Sequence, residues 1–258
     1  MSAPLLRIAS LVPSLTELLV ALGLQEHLVA RTGFCIHPAD AVAGIAKVGG
    51  TKDVNLAKLR RLAPTHVLIN IDENRLDTAQ ALSEFVPQVI VTHPRTPDDN
   101  LALLDQMTAA FGHVRGVTKR AAELRDALQR ELTLTRSTPW PPRRVLYLIW
   151  RDPWMTVARD TYIGQMLACV GWQTLPAVSG GDHGAARYPT LVGDEAWLAE
   201  VDRVLLSSEP YRFGPAHVDE AQRLCPQADV QCVDGELLSW YGPRAAAGLR
   251  YLRGLAAA

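Results

Sequence analysis

Cys35 and His37 stand two residues apart in Gly33-Phe-Cys-Ile-His-Pro38. A thiolate and an imidazole suit Zn or Fe, but a closed site needs more ligands, and His93 or Glu73 would have to complete it. The other reading is a buried thiol beside a histidine that orders the loop before Pro38, and no metal site is assigned. Gly49-Gly-Thr-Lys52 carries glycines that let backbone amides approach an anion, and a lysine that adds charge. It is not a G-x-x-x-x-G-K-[ST] phosphate loop, so a turn presenting Lys52 is expected. Glu73 and Glu209 are candidates for paired acid–base carboxylates. Their plainer role is ion pairing with Arg151, Arg187 or Lys52. No G-x-S-x-G elbow occurs and Ser207-Ser208 has no neighbouring histidine, so no catalytic residue is assigned.

The second half is richer in rings. Trp150, Trp154, Tyr188, Tyr211, Phe213, Trp240 and Tyr241 fall in segments that read as loops. Their faces suit a planar ligand, and Arg151 could stack on it or neutralise its carboxylates. Alternatively, Trp150 and Trp240 belong to the core.

The elements that must position these residues read as alternating strands and helices. Leu5–Val12 is β-rich and ends at Pro13. Ser14 and Glu17 have capping-box spacing before a helix that Gly23 stops. His27–Arg31, Thr65–Ile71 and Gln88–Val91 read as strands; Asn55 caps a short helix. Asn74–Phe85 and Thr96–Phe111 read as helices, the latter with Pro97 in its first turn. Such alternation predicts a parallel sheet flanked by helices. From Val114 to Arg136 the stripe Val117, Ala121, Leu124, Leu128 and Leu132 predicts one long helix, stopped by Thr138-Pro-Trp-Pro-Pro142. Beyond it, Arg144–Trp150, Arg203–Ser207 and Val230–Val233 read as strands. Thr161–Val170, Asp194–Val201, Pro215–Leu224 and Arg244–Leu255 read as helices. The expected fold is two Rossmann-like α/β lobes, residues 1–113 and 138–258, joined by one long rigid α-helix over 114–137. The polar loops follow strands, where parallel sheets gather ligands, so a ligand cleft between the lobes is expected.

Composition narrows the function. The 258 residues carry 26 basic and 27 acidic side chains, a formal charge of −1. That leaves no long-range attraction to nucleic acid, and none is expected as a partner. Thr161–Gly181 is the longest uncharged run and long enough to span a membrane, but its four glycines, Pro176 and two glutamines argue against insertion. Pro13, Thr16 and Glu17 interrupt the apolar stretch that a secretory leader within Met1–Ala21 would need. Cys35, Cys169, Cys225 and Cys232 form no C-x-x-C pair and read as reduced thiols. A cytoplasmic location is therefore expected, and a periplasmic one if a native leader is missing.

Arg7-Ile-Ala-Ser-Leu-Val-Pro-Ser-Leu-Thr-Glu17 resembles the opening of the class III substrate-binding proteins, the cobalamin and ferric-siderophore receptors. The resemblance continues through Val48-Gly-Gly, Asn55-Leu and Leu62-Ala-Pro-Thr-His-Val-Leu-Ile69 and covers most of the chain. Trp150–Trp154, Ser207–Phe213 and Asp234–Gly242 look like the helical backbone metal receptor subgroup. The resemblance implies a non-catalytic small-molecule binder with a corrinoid, haem-like or siderophore-like ligand held between two lobes. It also implies little hinge motion. Cobalamin or another metal chelate would be its bound group; no resident cofactor is assigned. The family's aromatic corrin contacts correspond to Phe34, Thr51 and Ile71, of which Phe34 alone is aromatic. Its transporter-docking glutamate corresponds to Ala57, which disfavours delivery to an ABC transporter. An exported component of an ABC importer for cobalamin or iron chelate is the first alternative. A cytoplasmic enzyme using the Cys35, His37 and Lys52 loops is the second. The expected ligand contacts are Phe34, His37, Thr51, Lys52, Glu73 and Asn74 in the first half. In the second they are Trp150, Arg151, Trp154, Arg187, Tyr188, Glu209, Tyr211, Trp240 and Tyr241.

Overall fold

The computed structural model describes residues 5–257. Residues 1–4, where a leader would begin, lie outside them. The chain divides into two units: Met1–Pro94 with Leu101–Arg125, and Arg95–Asn100 with Asp126–Ala258.

In the first unit, β1 (Ile8–Ser10), β2 (Leu28–Arg31), β3 (Ala46–Lys47), β4 (His66–Asn70) and β5 (Gln88–Thr92) form a parallel sheet in the order β3-β2-β1-β4-β5. Val67, Leu68, Ile69 and Asn70 of β4 are all buried, as a central parallel strand covered on both faces requires. Edge strand β5 leaves Gln88 and Val91 exposed. Ala9, Leu11, Ala30, Val67 and Ile69 meet Leu59, Leu82 and Val86 in one core. The strand-start side is tied by Arg7, whose guanidinium donates to the carbonyls of Leu62 (2.7 Å) and Ala63 (3.2 Å).

In the second unit, β6 (Arg143–Leu148), β7 (Trp172–Thr174), β8 (Arg203–Ser207) and β9 (Asp229–Val233) form a parallel sheet in the order β7-β6-β8-β9. Leu146, Leu148, Val204 and Leu206 pack with Leu175, Leu191, Phe213 and Ala221. The expected two α/β lobes with parallel sheets are therefore present. Each sheet reverses its strand order at one place, β1/β4 in the first and β6/β8 in the second, the position at which open parallel sheets generally take ligands.

The long helix is continuous from Val117 to Ser137. Twenty-one residues at ~1.5 Å each reach about 30 Å. Val117, Ala121, Leu128 and Leu132 are buried and Leu124 is half-buried, so the apolar stripe faces packed neighbours. Its residues to Arg125 belong to the first unit and those from Asp126 to the second. The segment Arg95–Asn100 packs within the second unit. There the Asp98 carboxylate pairs with Arg136, and Asn100 Nδ2 reaches Tyr162 Oη at 3.2 Å.

Several local expectations need correction. The first helix starts at Pro13, with Val12 as its cap and no side-chain capping bond. Proline at the first position lacks the N–H that a capping box would satisfy, and Ser14 is buried inside the helix. The helix expected from Thr96 begins at Asp99. Asp99 Oδ2 accepts the N–H groups of Arg95 (2.8 Å) and Thr96 (2.9 Å), so Pro97 lies in a turn before it. The segment Asp194–Val201 makes only a 3-10 helix, Ala196–Glu200, because Glu195 turns back to cap the N–H groups of Val192 and Gly193. Gly235–Ser239, expected as loop, is a helix capped by Asp234 Oδ1. Strands β3 and β7, only two and three residues long, carry no pattern that the sequence reveals. Asn55 does cap its helix, accepting the Lys58 N–H at 2.8 Å.

Candidate functional site

Because all strands in a sheet are parallel, every strand-to-loop exit of a unit opens on one edge. In the first unit these exits carry residues 32–38, 48–55, 71–75 and 93–94. Asn74 binds three of its loops together. Its Oδ1 accepts the Asn70 N–H (2.9 Å), and its Nδ2 donates to the carbonyls of Thr51 (2.9 Å) and Leu11 (3.3 Å). Asn70 Oδ1 in turn accepts the Asp72 N–H at 2.8 Å.

Lys52, Asp72, Glu73 and His93 gather on this frame. Lys52 Nζ donates to the Asp72 carbonyl at 2.7 Å, and His93 Nε2 lies 3.4 Å from Asp72 Oδ2. Lys52 is exposed as a whole, but desolvation of its ammonium against the Asp72 carbonyl lowers it from its ordinary range, against the opposing pull of Glu73 and Asp72. Glu73 thus acts on Lys52 through its charge, while the ammonium's hydrogen bond goes to the Asp72 carbonyl. The Gly49–Lys52 segment is a turn. Gly49 has φ 102° and bridges Val54, and a Cβ there would collide with the Asp53 carbonyl. Phe34 (63% exposed) and Ile71 (42% exposed) add apolar surface from neighbouring exits, and Thr51 is half-buried.

Cys35 and His37 part company. Cys35 is fully buried, its sulfur 3.1 Å from Thr32 Oγ1, while His37 is half-exposed. Burial pushes the Cys35 thiol up, outweighing hydrogen bonds from Thr16 and Thr32. That environment is the reverse of what a thiolate nucleophile or metal ligand needs. Among the described residues, no three His, Cys, Asp or Glu side chains are grouped to hold a metal ion.

In the second unit the loops after β6 and β8 flank the reversal point. Trp150 and Met155 form an antiparallel bridge, and the intervening turn projects Arg151 and Trp154. Trp150 is 41% exposed, so it is not core. Its ring meets Tyr211 edge-on at 5.7 Å, and Trp154 stacks on Phe213 at 5.8 Å and 5°. Offset and edge-to-face rings of this kind make a rigid apolar wall. Arg151 grips Glu220 with two bonds (2.8 and 2.7 Å) and also reaches Asp152 (2.5 Å). It therefore pairs with neither Glu73 nor Glu209, and its guanidinium lies 5.9 Å over Trp154.

Glu209 sits beside this wall. Ser239 Oγ and Trp240 Nε1 (2.7 Å) both donate to its Oε1. Burial raises the carboxyl, although both bonds and Arg244 pull it down. Trp240 is buried, with Arg244 lying 4.6 Å over its ring; Tyr241 is buried against Tyr162.

Arg187 is fully buried, and Tyr188 is half-buried beside it. The guanidinium donates to the Gly181 (2.6 Å) and Asp160 (3.3 Å) carbonyls, while Asp160 accepts the N–H groups of Gly180 and Gly181. A Cβ on Gly180 would strike the Arg187 backbone, so only glycine permits the approach. Arg187 thus organises the loop from inside rather than facing solvent.

Sequence reasoning missed Asn70, Ser239, Glu220 and His217, which hold the named residues in place. Ser239 lies within the Asp234–Gly242 segment but nothing in it signals a role for the hydroxyl, and the other three belong to no motif; only the fold brings them near their partners. All four cysteines are free thiols.

Two parallel α/β units with recognition groups on their strand-exit edges define a solute-binding protein architecture. The sequence profile of that class agrees: the periplasmic binding protein family matches residues 8–189, over half of the chain, and the chain belongs to it. The chain is 26% identical over 181 residues to a vitamin B12-binding protein of Photorhabdus laumondii, covering 69% of this chain and 63% of that one. A vitamin B12-binding protein of Pectobacterium atrosepticum is 23% identical over 172 residues, covering 66% and 61%. The chain thus spans less than two thirds of the length of these relatives. Among solved structures, the periplasmic vitamin B12 binding protein of Vibrio cholerae is similar with a TM-score of 0.77 and 21% identity, covering 96% of each chain. The periplasmic haem binding protein of the same organism gives 0.77 and 22%, covering 97% of this chain and 98% of that one. These likenesses establish the fold. The family match gives a cytoplasmic location no support. Among the described residues, no helix is long and apolar enough to cross a membrane.

Proposed function

We propose that this protein is a non-catalytic receptor for a flat, conjugated metal chelate of the corrinoid or haem class. The observation that carries the reading is the wall of Trp150, Tyr211 and Trp154, backed by the buried Phe213, at the reversal point of the second sheet. Stacked rings offer a planar ligand dispersion and face-to-face contact without a rotamer cost. The first unit's exit edge, taken by itself, presents Phe34, Ile71 and Lys52 as apolar and charged groups suited to a ligand. Family membership and the vitamin B12-binding and haem-binding relatives support the same ligand class. No nucleophile stands beside a base and an orienting group among the described residues discussed above, and the Cys35 thiol is buried and raised. Titration with cyanocobalamin and with haemin, followed in the visible bands, tests the proposal. Saturable one-to-one binding of either supports it; flat titrations with both overturn it.

Membership of a periplasmic family favours an exported protein that delivers its ligand to an ABC importer over a cytoplasmic one. The helix Leu56–Arg61 carries Ala57, Lys58, Arg60 and Arg61 and no acidic group, so docking there would require an acidic partner surface. Fractionation of the native host, with detection in periplasmic and cytoplasmic extracts, decides the location.

A further inference from the structure

His217 has no place in any motif, yet it touches two rings of the aromatic wall, as many as the sequence candidate Tyr211 does. It closes the 3-10 helix Pro215–His217 that follows Phe213 and Gly214. Its ring stands edge-on to Tyr211 (5.6 Å, 83°) and to Phe213 (5.4 Å, 87°). Both nitrogens are engaged. Nδ1 lies 3.1 Å from the Gly214 nitrogen, and Nε2 lies 3.3 Å from Tyr211 Oη. Nδ1 also lies 3.2 Å from the Gly214 carbonyl oxygen, so the turn accommodates the imidazole in either tautomer. In either one, Nε2 and the Tyr211 hydroxyl share one hydrogen bond, with the donor set by the tautomer.

Resting on the receptor reading above, we infer that His217 is a positioning residue of the ligand site. It packs edge-on against the Tyr211 and Phe213 rings and ties down the Tyr211 hydroxyl, so that the Tyr211 ring keeps its edge-on place against Trp150 for a planar ligand. A tyrosine held only by ring packing could tilt; one bonded to His217 through its hydroxyl is pinned at that end as well.

Three variants separate the two parts of this role. His217→Phe keeps a ring edge for Tyr211 and Phe213 but removes both nitrogens. His217→Ala removes ring and nitrogens, and Tyr211→Phe removes the hydroxyl alone. With cyanocobalamin and haemin as probes, Tyr211→Phe and His217→Phe should each weaken binding by about 3- to 10-fold, the worth of one hydrogen bond. The double variant should be no weaker than either single one, because both remove the same bond. Additive losses, or wild-type affinity in His217→Phe, would overturn the inference. In the free protein, near-ultraviolet circular dichroism reports the packing of Trp150 on Tyr211. His217→Ala should lose part of that signal and His217→Phe should retain it; an unchanged spectrum in His217→Ala also overturns the inference. If the wild type binds neither probe, the receptor reading fails, and the free-protein spectra still decide whether His217 positions Tyr211. Should His217→Ala not fold, the His217→Phe and Tyr211→Phe pair carries the test.

Discussion

All six tryptophans and all six tyrosines of the chain lie between Trp140 and Tyr251, in the second unit. The first unit has three phenylalanines, of which Phe34 alone is exposed on the exit edge. The same parallel architecture therefore presents two different chemistries. One edge offers charge, amides and small apolar side chains on an asparagine-stitched frame. The other offers a ring wall backed by an arginine–glutamate clamp. The contrast shows that the scaffold does not dictate the chemistry, since strand exits accept either type. It also gives the second unit a built-in optical probe, because tryptophan emission reports on that unit alone.

The sharpest way to break the comparison is Arg187→Ala. Removing a fully buried guanidinium strands the groups that it organised, at a cost of roughly 3–5 kcal/mol. Urea unfolding followed by tryptophan emission should show the midpoint fall; a loss under 1 kcal/mol would refute the organising role. Next comes Asn74→Ala in the first unit, which leaves buried partners of three loops unsatisfied at about 2–3 kcal/mol. Far-ultraviolet circular dichroism during unfolding measures it, since tryptophan emission is blind to this unit.

Acid should separate the units further. Burial lowers His66 below its ordinary 6.5, with His113 adding repulsion, so the unfolded chain binds the proton more readily. Its contribution is complete above 6.5 and declines as pH falls through the lower folded value. In the second unit, burial tends to raise Asp160, but the N–H groups of Gly180 and Gly181 outweigh it and leave the carboxylate below its usual 3.8. The Arg151 bonds likewise hold Glu220 below 4.5. Those contributions stay complete above 3.8 and 4.5 and are lost only at lower pH. His66→Gln should remove pH dependence near pH 6 in the far-ultraviolet signal and leave that of tryptophan emission untouched.

Glu209 gives a smaller and opposite effect. Burial raises its carboxyl, so its neutral form fits the folded state and its contribution fades as pH rises above 4.5 through the folded value. Glu209→Gln keeps an acceptor for Ser239 and Trp240. It should change stability at neutral pH by under about 1 kcal/mol, whereas Glu209→Ala should cost about 1–3 kcal/mol. Equal losses in the two variants would mean that the charge itself matters. Lys52→Met should matter least, within about 0.5 kcal/mol in unfolding, because the side chain is exposed.

Strand and helix alternation was legible because buried parallel strands leave continuous apolar runs; β8 matches its expected bounds to the residue, β4 is shorter by a residue at each end, and β9 begins one residue earlier. The long helix was legible from its stripe. Short β3 and β7 were not, since their place is set by neighbouring strands rather than by their own residues. Exit loops could be found because polar and aromatic clusters follow apolar runs. What each side chain does there could not. Arg187 and Glu209 look like exposed binding groups in sequence, but tertiary packing buries the first and encloses most of the second. His217 escaped notice because its partners come from a turn that only the folded chain creates.

The path of the chain has a practical consequence. It leaves the first unit after Pro94, returns at Leu101 and departs again after Arg125. No single cut can yield either half intact: a fragment ending at Pro94 forfeits Leu101–Arg125, and one starting at Asp126 forfeits Asn100 and its bond to Tyr162. Dissecting this protein by simple truncation will therefore produce pieces that each lack part of their own interior.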